Sequence, residues 1–328
     1  MREIVLSGIR PTGKLHLGNY FGALKDFVRL QNEGKRCFFF VADWHSLTTL
    51  EHHEKIRENT SEIIKTYLSI GLNPNKCTIF VQSDVPEIAE IAILLSMFQP
   101  ANELSVLPTY KDVIVKHPEN NNAGLLYYPI LMAADILAHK ATLVPVGRDQ
   151  EIHVRVAKNI VRIINNRFGN ILPIPQIFEK ETIVVPGLDG SGKMAKSKEK
   201  KNTTIDLIDS KKAIKEKLSR ALTDPQRKKR NDPGNPFNCN LFKLHELTSD
   251  EDIVKNIQQG CHSAEIGCVD CKRCLTDSIW NLLTPIQERR KNITDKDIQN
   301  TREKGAREAR ESAQKTLKIL KTKMGLSS

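Results

Sequence analysis

Short apolar runs alternate with longer amphipathic segments through the first half of the chain. Five runs have the length and residue types of β-strands: EIVLSGI, RCFFFVADW, KCTIFVQS, ATLVPVG and TIVVPG. Between them, apolar residues recur at helical spacing over residues 18–33, 52–70, 86–98, 123–139 and 149–168. This alternation predicts an α/β domain with a parallel sheet, in which ligands bind beyond the carboxyl ends of the strands.

The pattern changes close to Lys193. Strand-like runs disappear after that residue, and charged helical segments such as 210–222 and 300–325 dominate. We therefore expect two domains. Residues 1–190 form the Rossmann-like α/β domain, and residues 191–328 form an all-helical domain.

Composition excludes several classes of protein. The chain has 328 residues, of which 39% are hydrophobic and 27% charged, as in ordinary globular proteins. Its first residues lack the apolar segment and cleavage site of a signal peptide, and its longest apolar run is too short to span a bilayer. The chain has seven cysteines, which without an export signal favour a reducing compartment. We expect a cytoplasmic protein.

Positive charge is concentrated in the second half of the chain. The net charge is +11, and the segment from Lys193 to Arg230 alone carries 14 basic and 5 acidic residues. A further 12 basic and 6 acidic residues lie between Glu288 and Lys323. This asymmetry indicates a polyanionic partner, most simply a nucleic acid, although solvated helical surfaces produce the same pattern.

A glycine-rich stretch, TIVVPGLDGSGKMAKS, begins at Thr182. Its Gly187-x₄-Gly192-Lys193 spacing matches a phosphate-binding P-loop. Met194, however, stands where that motif requires a serine or threonine for Mg²⁺. The segment is therefore either an incomplete P-loop or a different device for holding a nucleotide.

A second candidate phosphate site follows the first strand, in PTGKLHLGN. Gly18 permits close approach of another group, and the helix that begins there offers free N–H groups and a positive dipole end. His16 and Asn19 add hydrogen-bond donors. A turn closed by a helix-capping asparagine explains the same residues equally well.

The two segments together resemble the signature motifs of class I aminoacyl-tRNA synthetases. HLGN is similar to their HIGH motif, and KMAKS is similar to their KMSKS motif. The resemblance implies that His16, Asn19, Lys193 and Lys196 are catalytic and that the two lysines neutralise the departing pyrophosphate of ATP. Under this interpretation the stretch is not a P-loop, and Ala195 replaces the usual serine of the motif.

Within that class, nearly the whole chain resembles the bacterial tryptophanyl-tRNA synthetases. Asp135 is the sole acidic residue of AGLLYYPILMAADILAHK, and helical spacing puts it on one face with Met132 and Tyr128. A carboxylate in apolar surroundings needs a partner. The resemblance implies that this partner is the indole N–H of tryptophan, and the alternative is a purely structural pair.

The resemblance also implies the remaining substrate contacts and the reaction. His45 and Gln150 join Tyr128, Met132 and Asp135 around tryptophan. The implied ATP-binding residues are Arg10, Pro11, Thr12, Gly18, Asn19, Gly147, Arg148, Asp149, Val184, Lys193, Met194, Ala195, Lys196 and Ser197. The implied activity is attachment of L-tryptophan to tRNA(Trp) through tryptophanyl-adenylate, with Mg²⁺ and ATP, by a homodimer. Tyrosyl-tRNA synthetases, P-loop NTPases and a non-catalytic RNA-binding descendant are the competing interpretations.

Five of the cysteines lie within a short segment of the helical half. Clustered thiols in a cytoplasmic chain more often bind metal than form disulfides. The segment resembles a subset of tryptophanyl-tRNA synthetases with a [4Fe–4S] cluster, and this implies the ligands Cys239, Cys261, Cys268 and Cys271. Zinc is the alternative, since four thiolates suit either metal. Cys274 has no counterpart in that pattern, and the surrounding domain is expected to bind the tRNA anticodon.

Overall fold

A five-stranded parallel sheet organises the first part of the fold. The computed structural model describes residues 3–48, 53–116, 118, 121–147, 150–178, 183–190, 192–195 and 203–327. Within these residues the strands are β1 (Ile4–Ile9), β2 (Arg36–Val41), β3 (Thr78–Val81), β4 (Leu143–Val144) and β5 (Gln176–Ile177). Their order is β3-β2-β1-β4-β5, and every pair is parallel. The chain therefore reverses its direction of winding beside β1, which is where such sheets bind ligands.

Four of the five predicted strands are confirmed, and the fifth is wrong. The run TIVVPG does not enter the sheet, whose last strand is β5. Instead, Pro186 forms an isolated antiparallel bridge with Lys193, and the Met194 N–H donates to the Val185 carbonyl at 2.7 Å. The Val185 carbonyl and the Gly187 N–H, which donates to the Gly192 carbonyl at 3.3 Å, are thus paired within the loop and not with a neighbouring strand.

Helices make up most of the remaining structure. In chain order they are α1 (Leu17–Asn19), α2 (Lys25–Asn32), α3 (Asp43–Ser46), α4 (Ile56–Ser69), α5 (Glu87–Ser96), α6 (Ala101–Ser105), α7 (Pro108–Lys116), α8 (Ala123–Ala138), α9 (Glu151–Phe168), α10 (Lys211–Ser219), α11 (Asn240–Thr248), α12 (Glu251–His262), α13 (Cys268–Lys291) and α14 (Asp295–Met324). A π-helical turn, Tyr20–Leu24, joins α1 to α2, and 3₁₀ turns cover His53–Lys55, Gln82–Asp84 and Pro236–Asn238. None of the helices in the described ranges combines the length and apolarity needed to cross a lipid bilayer.

The chain divides into two compact units. Unit 1 comprises Met1–Gly13, Asp26–Glu181 and Ile293–Ser328, and unit 2 comprises Lys14–Lys25 and Thr182–Asn292. This division differs from the expected boundary at residue 190 in three places. Residues 14–25 and 182–190 belong to unit 2, and α14 belongs to unit 1 although it lies in the second half of the chain.

Packing explains why α14 belongs to unit 1. Four of its residues at helical spacing, Ala309, Ala313, Leu317 and Leu320, lie in the hydrophobic core of the sheet domain. Gly305 permits the close approach, since a Cβ there would stand 1.6 Å from the carbonyl oxygen of Ile79 in β3. Each fully buried leucine contributes roughly 1.5–3 kcal/mol, so the apolar stripe holds the helix on this core.

Unit 2 is built around the long helix α13. Both α10 and α11 pack against it. The buried contacts include Ile214 and Leu218 from α10, Leu244 from α11, and Leu275 and Ile279 from α13. This small helical core presents the cysteine segment at the N-terminal end of α13.

Candidate functional site

The centre of the site in unit 1 is a carboxylate buried in an apolar helix. Asn122 caps the start of helix α8, since its side chain accepts from the Leu125 N–H at 2.9 Å, and most residues of the helix are apolar. Asp135 lies near the end of this helix with 1% of its side chain exposed. Burial raises the pKa of Asp135, and hydrogen bonds from His45 and Gln82 oppose that rise.

Two strand ends supply the partners of this carboxylate. The Gln82 amide nitrogen donates to both Asp135 oxygens, at 2.8 Å to Oδ1 and 3.0 Å to Oδ2. His45 Nε2 lies 2.9 Å from Oδ2. His45 comes shortly after β2 and Gln82 directly after β3, so both stand at the carboxyl edge of the sheet.

The sequence predicted His45 at this place and missed Gln82. The signal that identifies Gln82 is its position, because it is the first residue after the apolar run of β3. A carboxylate accepts about four hydrogen bonds. The contacts from Gln82 and His45 leave Asp135 the capacity to accept one more.

An aromatic and histidine cluster lies beside the carboxylate. The Tyr128 hydroxyl stands 2.6 Å from His153 Nε2, and its ring meets His45 edge-on with the ring centroids 6.2 Å apart. His153 was not predicted. Met132 is partly buried against the core, and the Gln150 N–H donates to the Gly147 carbonyl at 2.9 Å.

Part of the predicted ATP site also belongs to unit 1. The Thr12 N–H donates to the Arg10 carbonyl at 2.8 Å, which closes the turn after β1, and Asn59 Nδ2 donates to the Pro11 carbonyl at 3.0 Å. Gly147 is exposed after β4. Arg148 and Asp149 lie outside the described residues.

The HLGN segment belongs to unit 2, where it lies next to the beginning of KMAKS. A Cβ on Gly18 would stand 2.9 Å from the His16 ring and 3.2 Å from the Met194 carbonyl oxygen. The two motifs therefore approach each other at a position that only glycine allows. The Asn19 side chain accepts from the His16 N–H at 3.0 Å, so it contributes to the cap at the start of α1.

The start of KMAKS is a buried anchor followed by exposed residues. Met194 is 1% exposed, whereas Val184, Lys193 and Ala195 are exposed. The Ala195 carbonyl accepts from Thr203 Oγ1 at 3.1 Å. Residues 193–195 do not begin a helix, as a P-loop would require. Lys196 and Ser197 lie outside the described residues.

The four predicted metal ligands are electrostatic neighbours in unit 2. Burial raises the pKa of the Cys271 thiol to about 12, and charges on Cys239, Cys261, Cys268 and Cys274 add to the rise. Cys271 Sγ also lies 3.4 Å from His245 Nε2. Among the residues that the structure describes, no group of three or more ligating side chains is close enough to hold a metal ion.

Two arginines of the basic segment are fixed against the cysteine loop. Arg227 Nη1 lies 3.7 Å from Cys261 Sγ, and its Nη2 donates to the Ile266 carbonyl at 2.9 Å. Arg230 Nη2 donates to the Glu265 carbonyl at 2.7 Å. Lys228 and Lys229 between them are exposed, so a polyanion can reach both of these cations.

Known proteins match the chain over nearly its whole length. The family described as tRNA synthetases class I (W and Y) matches residues 2–284. The tryptophan–tRNA ligase of Thermotoga maritima is 41% identical, with 98% of this chain and 99% of that protein aligned. The Porphyromonas gingivalis tryptophan–tRNA ligase is 42% identical, with 96% of this chain and 97% of that protein aligned.

Solved structures show the same fold. The tryptophanyl-tRNA synthetase of Campylobacter jejuni, complexed with ADP and tryptophan, superposes with a TM-score of 0.89 at 35% identity and covers 98% of this chain and 100% of its own. The Mycoplasma pneumoniae enzyme gives a TM-score of 0.84 at 30% identity and covers 100% of this chain and 99% of its own. The chain therefore belongs to the class I tRNA synthetases for tryptophan and tyrosine and, within them, to the tryptophan–tRNA ligases.

Proposed function

We propose that this member of the family selects tryptophan through Asp135, which accepts the indole N–H of the substrate. The observation that carries the proposal is the burial of this carboxylate between Gln82 and His45. A buried acceptor that is left unpaired is costly, so side chains that cannot donate at this point are rejected. Tyr128, Met132 and Gln150 complete the tryptophan site in this proposal.

Chemistry takes place at the α-phosphate of the ATP–Mg²⁺ substrate. A tryptophan carboxylate oxygen bonds to the α-phosphorus, and the bond from that phosphorus to the β-phosphate bridging oxygen breaks. Pyrophosphate leaves, and tryptophanyl-adenylate remains. A hydroxyl of the terminal tRNA ribose then attacks the acyl carbon and releases AMP. In this proposal Lys193 and Lys196 neutralise the charge that gathers on the leaving pyrophosphate, while His16 and Asn19 hold the phosphates.

ATP–pyrophosphate exchange with single amino acids tests this assignment. We expect exchange with tryptophan and none above background with tyrosine or phenylalanine. Asp135→Ala should lower exchange with tryptophan roughly 10³-fold or more, while ATP binding measured by calorimetry persists. Exchange with tyrosine in the native protein, or native exchange in Asp135→Ala, would contradict the proposal.

We also propose that unit 2 binds the tRNA and its anticodon region. The exposed Lys228 and Lys229 support this role, since phosphate contacts release counterions and dominate the affinity for RNA. Filter binding of tRNA(Trp) at several salt concentrations is the measurement. If the affinity for tRNA(Trp) does not depend on salt, Lys228 and Lys229 belong to an ordinary solvated surface and do not contact phosphate.

The cysteine segment is proposed to hold a [4Fe–4S] cluster through Cys239, Cys261, Cys268 and Cys271. Two observations support this donor set: the charges of the other three cysteines act on the Cys271 thiol, and Arg227 lies beside Cys261. The four side chains would have to move closer together to hold the cluster, because as they stand they form no metal-binding group. The cluster would act as a cross-link between the loop and the N-terminal end of α13, since aminoacylation transfers no electron. Zinc remains the alternative for the same ligands.

Metal analysis after anaerobic purification separates the two metals. We expect brown protein with roughly four irons per chain and matching inorganic sulfide. Cys268→Ser should lose the metal, and Cys274→Ser should retain it as the matched control. Colourless protein with one zinc would overturn the cluster and keep the ligands.

The chain is further proposed to act as a cytoplasmic homodimer. Unit 1 carries an apolar groove of about 500 Å³ lined by Leu104, Leu126, Tyr127 and Ile130. Met97 nearby in the chain is 72% exposed. Analytical ultracentrifugation should give a dimer for the native protein and a monomer for Met97→Lys, while Ile174→Lys, at an exposed apolar residue elsewhere in unit 1, should remain dimeric. A native monomer would contradict this proposal.

A further inference from the structure

The 3₁₀ turn Gln82–Asp84 is held at each of its three residues by a different element of unit 1. Gln82 donates to Asp135 of α8, as described above. The Ser83 N–H donates to Asp43 Oδ1 at 3.1 Å. The Asp84 carboxylate accepts from Arg302 of α14, at 2.6 Å from Nε and 2.8 Å from Nη2.

Gln82 is built for its contact with Asp135. The side chain is completely buried, and its Oε1 has no hydrogen-bond partner among the described residues. A buried amide carbonyl without a partner is unfavourable by itself. The opposite orientation would turn Oε1 toward the carboxylate, where two acceptors repel. The Gln82 amide therefore directs its N–H₂ group at the Asp135 carboxylate and fixes the orientation of the carboxylate oxygens.

The Arg302 contact fixes the turn from the other side. Two parallel hydrogen bonds from one guanidinium define position and orientation together. Helix α14 itself is held against β3, where Gly305 approaches Ile79 and Thr78 Oγ1 donates to Glu308 at 2.6 Å. The C-terminal helix thus determines where the turn after β3 lies.

We infer that Gln82 is a positioning residue for tryptophan selection and that Arg302 acts on the same carboxylate through Asp84 and the turn. This inference rests on the proposed role of Asp135. Gln82 orients the Asp135 oxygens and keeps them as acceptors, so that a substrate N–H is required. Arg302 keeps Gln82 within hydrogen-bonding distance of Asp135.

The test compares tryptophan with its sulfur analogue, 3-(benzothiophen-3-yl)alanine, which has a similar shape and no ring N–H. Steady-state ATP–pyrophosphate exchange is measured with both substrates for the native protein and for Gln82→Met. Removing a hydrogen bond to a buried charge should raise the KM for tryptophan roughly 10- to 100-fold. The preference for tryptophan over the analogue should fall by the same factor, while kcat and the KM for ATP change little.

A purely space-filling role of Gln82 predicts a different result from a role in orienting the Asp135 acceptor. If Gln82 only fills space, both substrates weaken equally and the preference for tryptophan survives. That result, or an unchanged KM for tryptophan, would overturn the inference. Thermal unfolding of each variant confirms that the comparison is made on folded protein.

Arg302→Met should produce the same signature at a smaller size, about 3- to 10-fold, because the ion pair is partly exposed. Arg310→Met is the matched control. Arg310 lies on the same helix and pairs with Glu87 of α5 at 3.4 Å and not with a residue of the turn. We expect native discrimination in Arg310→Met. Native discrimination in Arg302→Met as well would contradict the role of α14.

Asp135→Leu, which has no hydrogen-bond acceptor in its side chain, separates failure of this inference from failure of the proposed site. If that variant still prefers tryptophan over the sulfur analogue, Asp135 does not accept the N–H and the proposed function of the site is wrong. If Asp135→Leu loses the preference while Gln82→Met keeps it, the site stands and only the positioning role fails.

Discussion

The proposed tryptophan pocket of unit 1 and the glycine-rich loop of unit 2 represent opposite ways of using charge. In unit 1 the only carboxylate of an apolar helix is buried and hydrogen-bonded from two strand ends. In unit 2 Lys193 is exposed, and it follows Gly190 and Gly192, whose φ angles are +79° and +41°. A fixed, desolvated acceptor suits selection among amino acids, whereas an exposed cation on a glycine-rich loop suits a charge that develops only during the reaction.

Asp135→Ala should produce the largest effect on this comparison. The variant loses the proposed acceptor for the indole and leaves Gln82 and His45 as unpaired buried donors. We expect kcat/KM for tryptophan to fall roughly 10³-fold or more. Exchange kinetics measure the loss, and an unchanged KM for ATP shows that the variant still binds ATP. A fall in kcat/KM of less than tenfold would show that the buried carboxylate of unit 1 does not select tryptophan.

Lys193→Ala should have the next largest effect, and on a different constant. If this lysine acts mainly in the transition state, kcat falls roughly 10²- to 10³-fold while the KM for tryptophan stays near its native value. Lys212→Ala, at an exposed lysine of α10 outside the motif, is the control and should stay close to native in exchange. A large rise in tryptophan KM at unchanged kcat would make Lys193 a ground-state contact.

His139 extends the comparison to acid stability. This histidine is fully buried in unit 1 with its ring stacked on Phe38, and neither ring nitrogen has a hydrogen-bond partner among the described residues. Burial lowers the pKa of His139 from 6.5 to about 3. Above pH 6.5 the residue is neutral in both the folded and unfolded states, so its titration does not change the free energy of unfolding. Below that pH the unfolded chain binds a proton that the folded chain excludes.

The free energy of unfolding should therefore fall as pH decreases from 6.5 toward 3, by about 1.4 kcal/mol per pH unit from this residue alone. Urea unfolding at pH 7 and pH 5 measures the slope. His139→Leu should be close to native at pH 7 and should show a shallower loss at pH 5. A variant with the native slope would show that His139 is not kept neutral by burial.

The combined change Lys228→Gln and Lys229→Gln should have the smallest effect. These exposed lysines contact phosphate in the proposed complex, and each lost contact should reduce the slope of log affinity against log salt by about 0.7–0.9. Filter binding of tRNA(Trp) measures the slope, and adenylate formation should be unchanged. Arg227→Gln is the contrasting variant. Because Arg227 contacts Cys261, we expect it to disturb the cysteine loop, measured as lower thermal stability of unit 2.

Local patterns predicted much of both regions. The alternation of strands and helices predicted the parallel sheet, and the lone acidic residue of α8 identified Asp135 as a functional candidate. The strand-end rule placed His45 and applies equally to Gln82. Which side chains would meet there depends on the pairing of β2 with β3 and on the packing of α8, and neither is encoded locally.

Longer-range packing accounts for what the sequence did not predict. The amphipathic stripe of α14 predicted a helix but did not indicate which core the helix packs against. The pairing of Arg302 with Asp84 could therefore not be predicted from the sequence. The run TIVVPG has the residue types of a strand, yet its backbone pairs within its own loop. Both differences arise because many surfaces can bury the same apolar pattern.

Direct binding of tryptophan tests the central claim, that unit 1 selects the amino acid independently of the phosphate chemistry. Isothermal titration calorimetry with tryptophan, in the absence of ATP, is carried out on the native protein, Asp135→Ala and Lys193→Ala. We predict native affinity for Lys193→Ala and no measurable binding for Asp135→Ala. Native affinity in Asp135→Ala, or loss of binding in Lys193→Ala, would contradict the account.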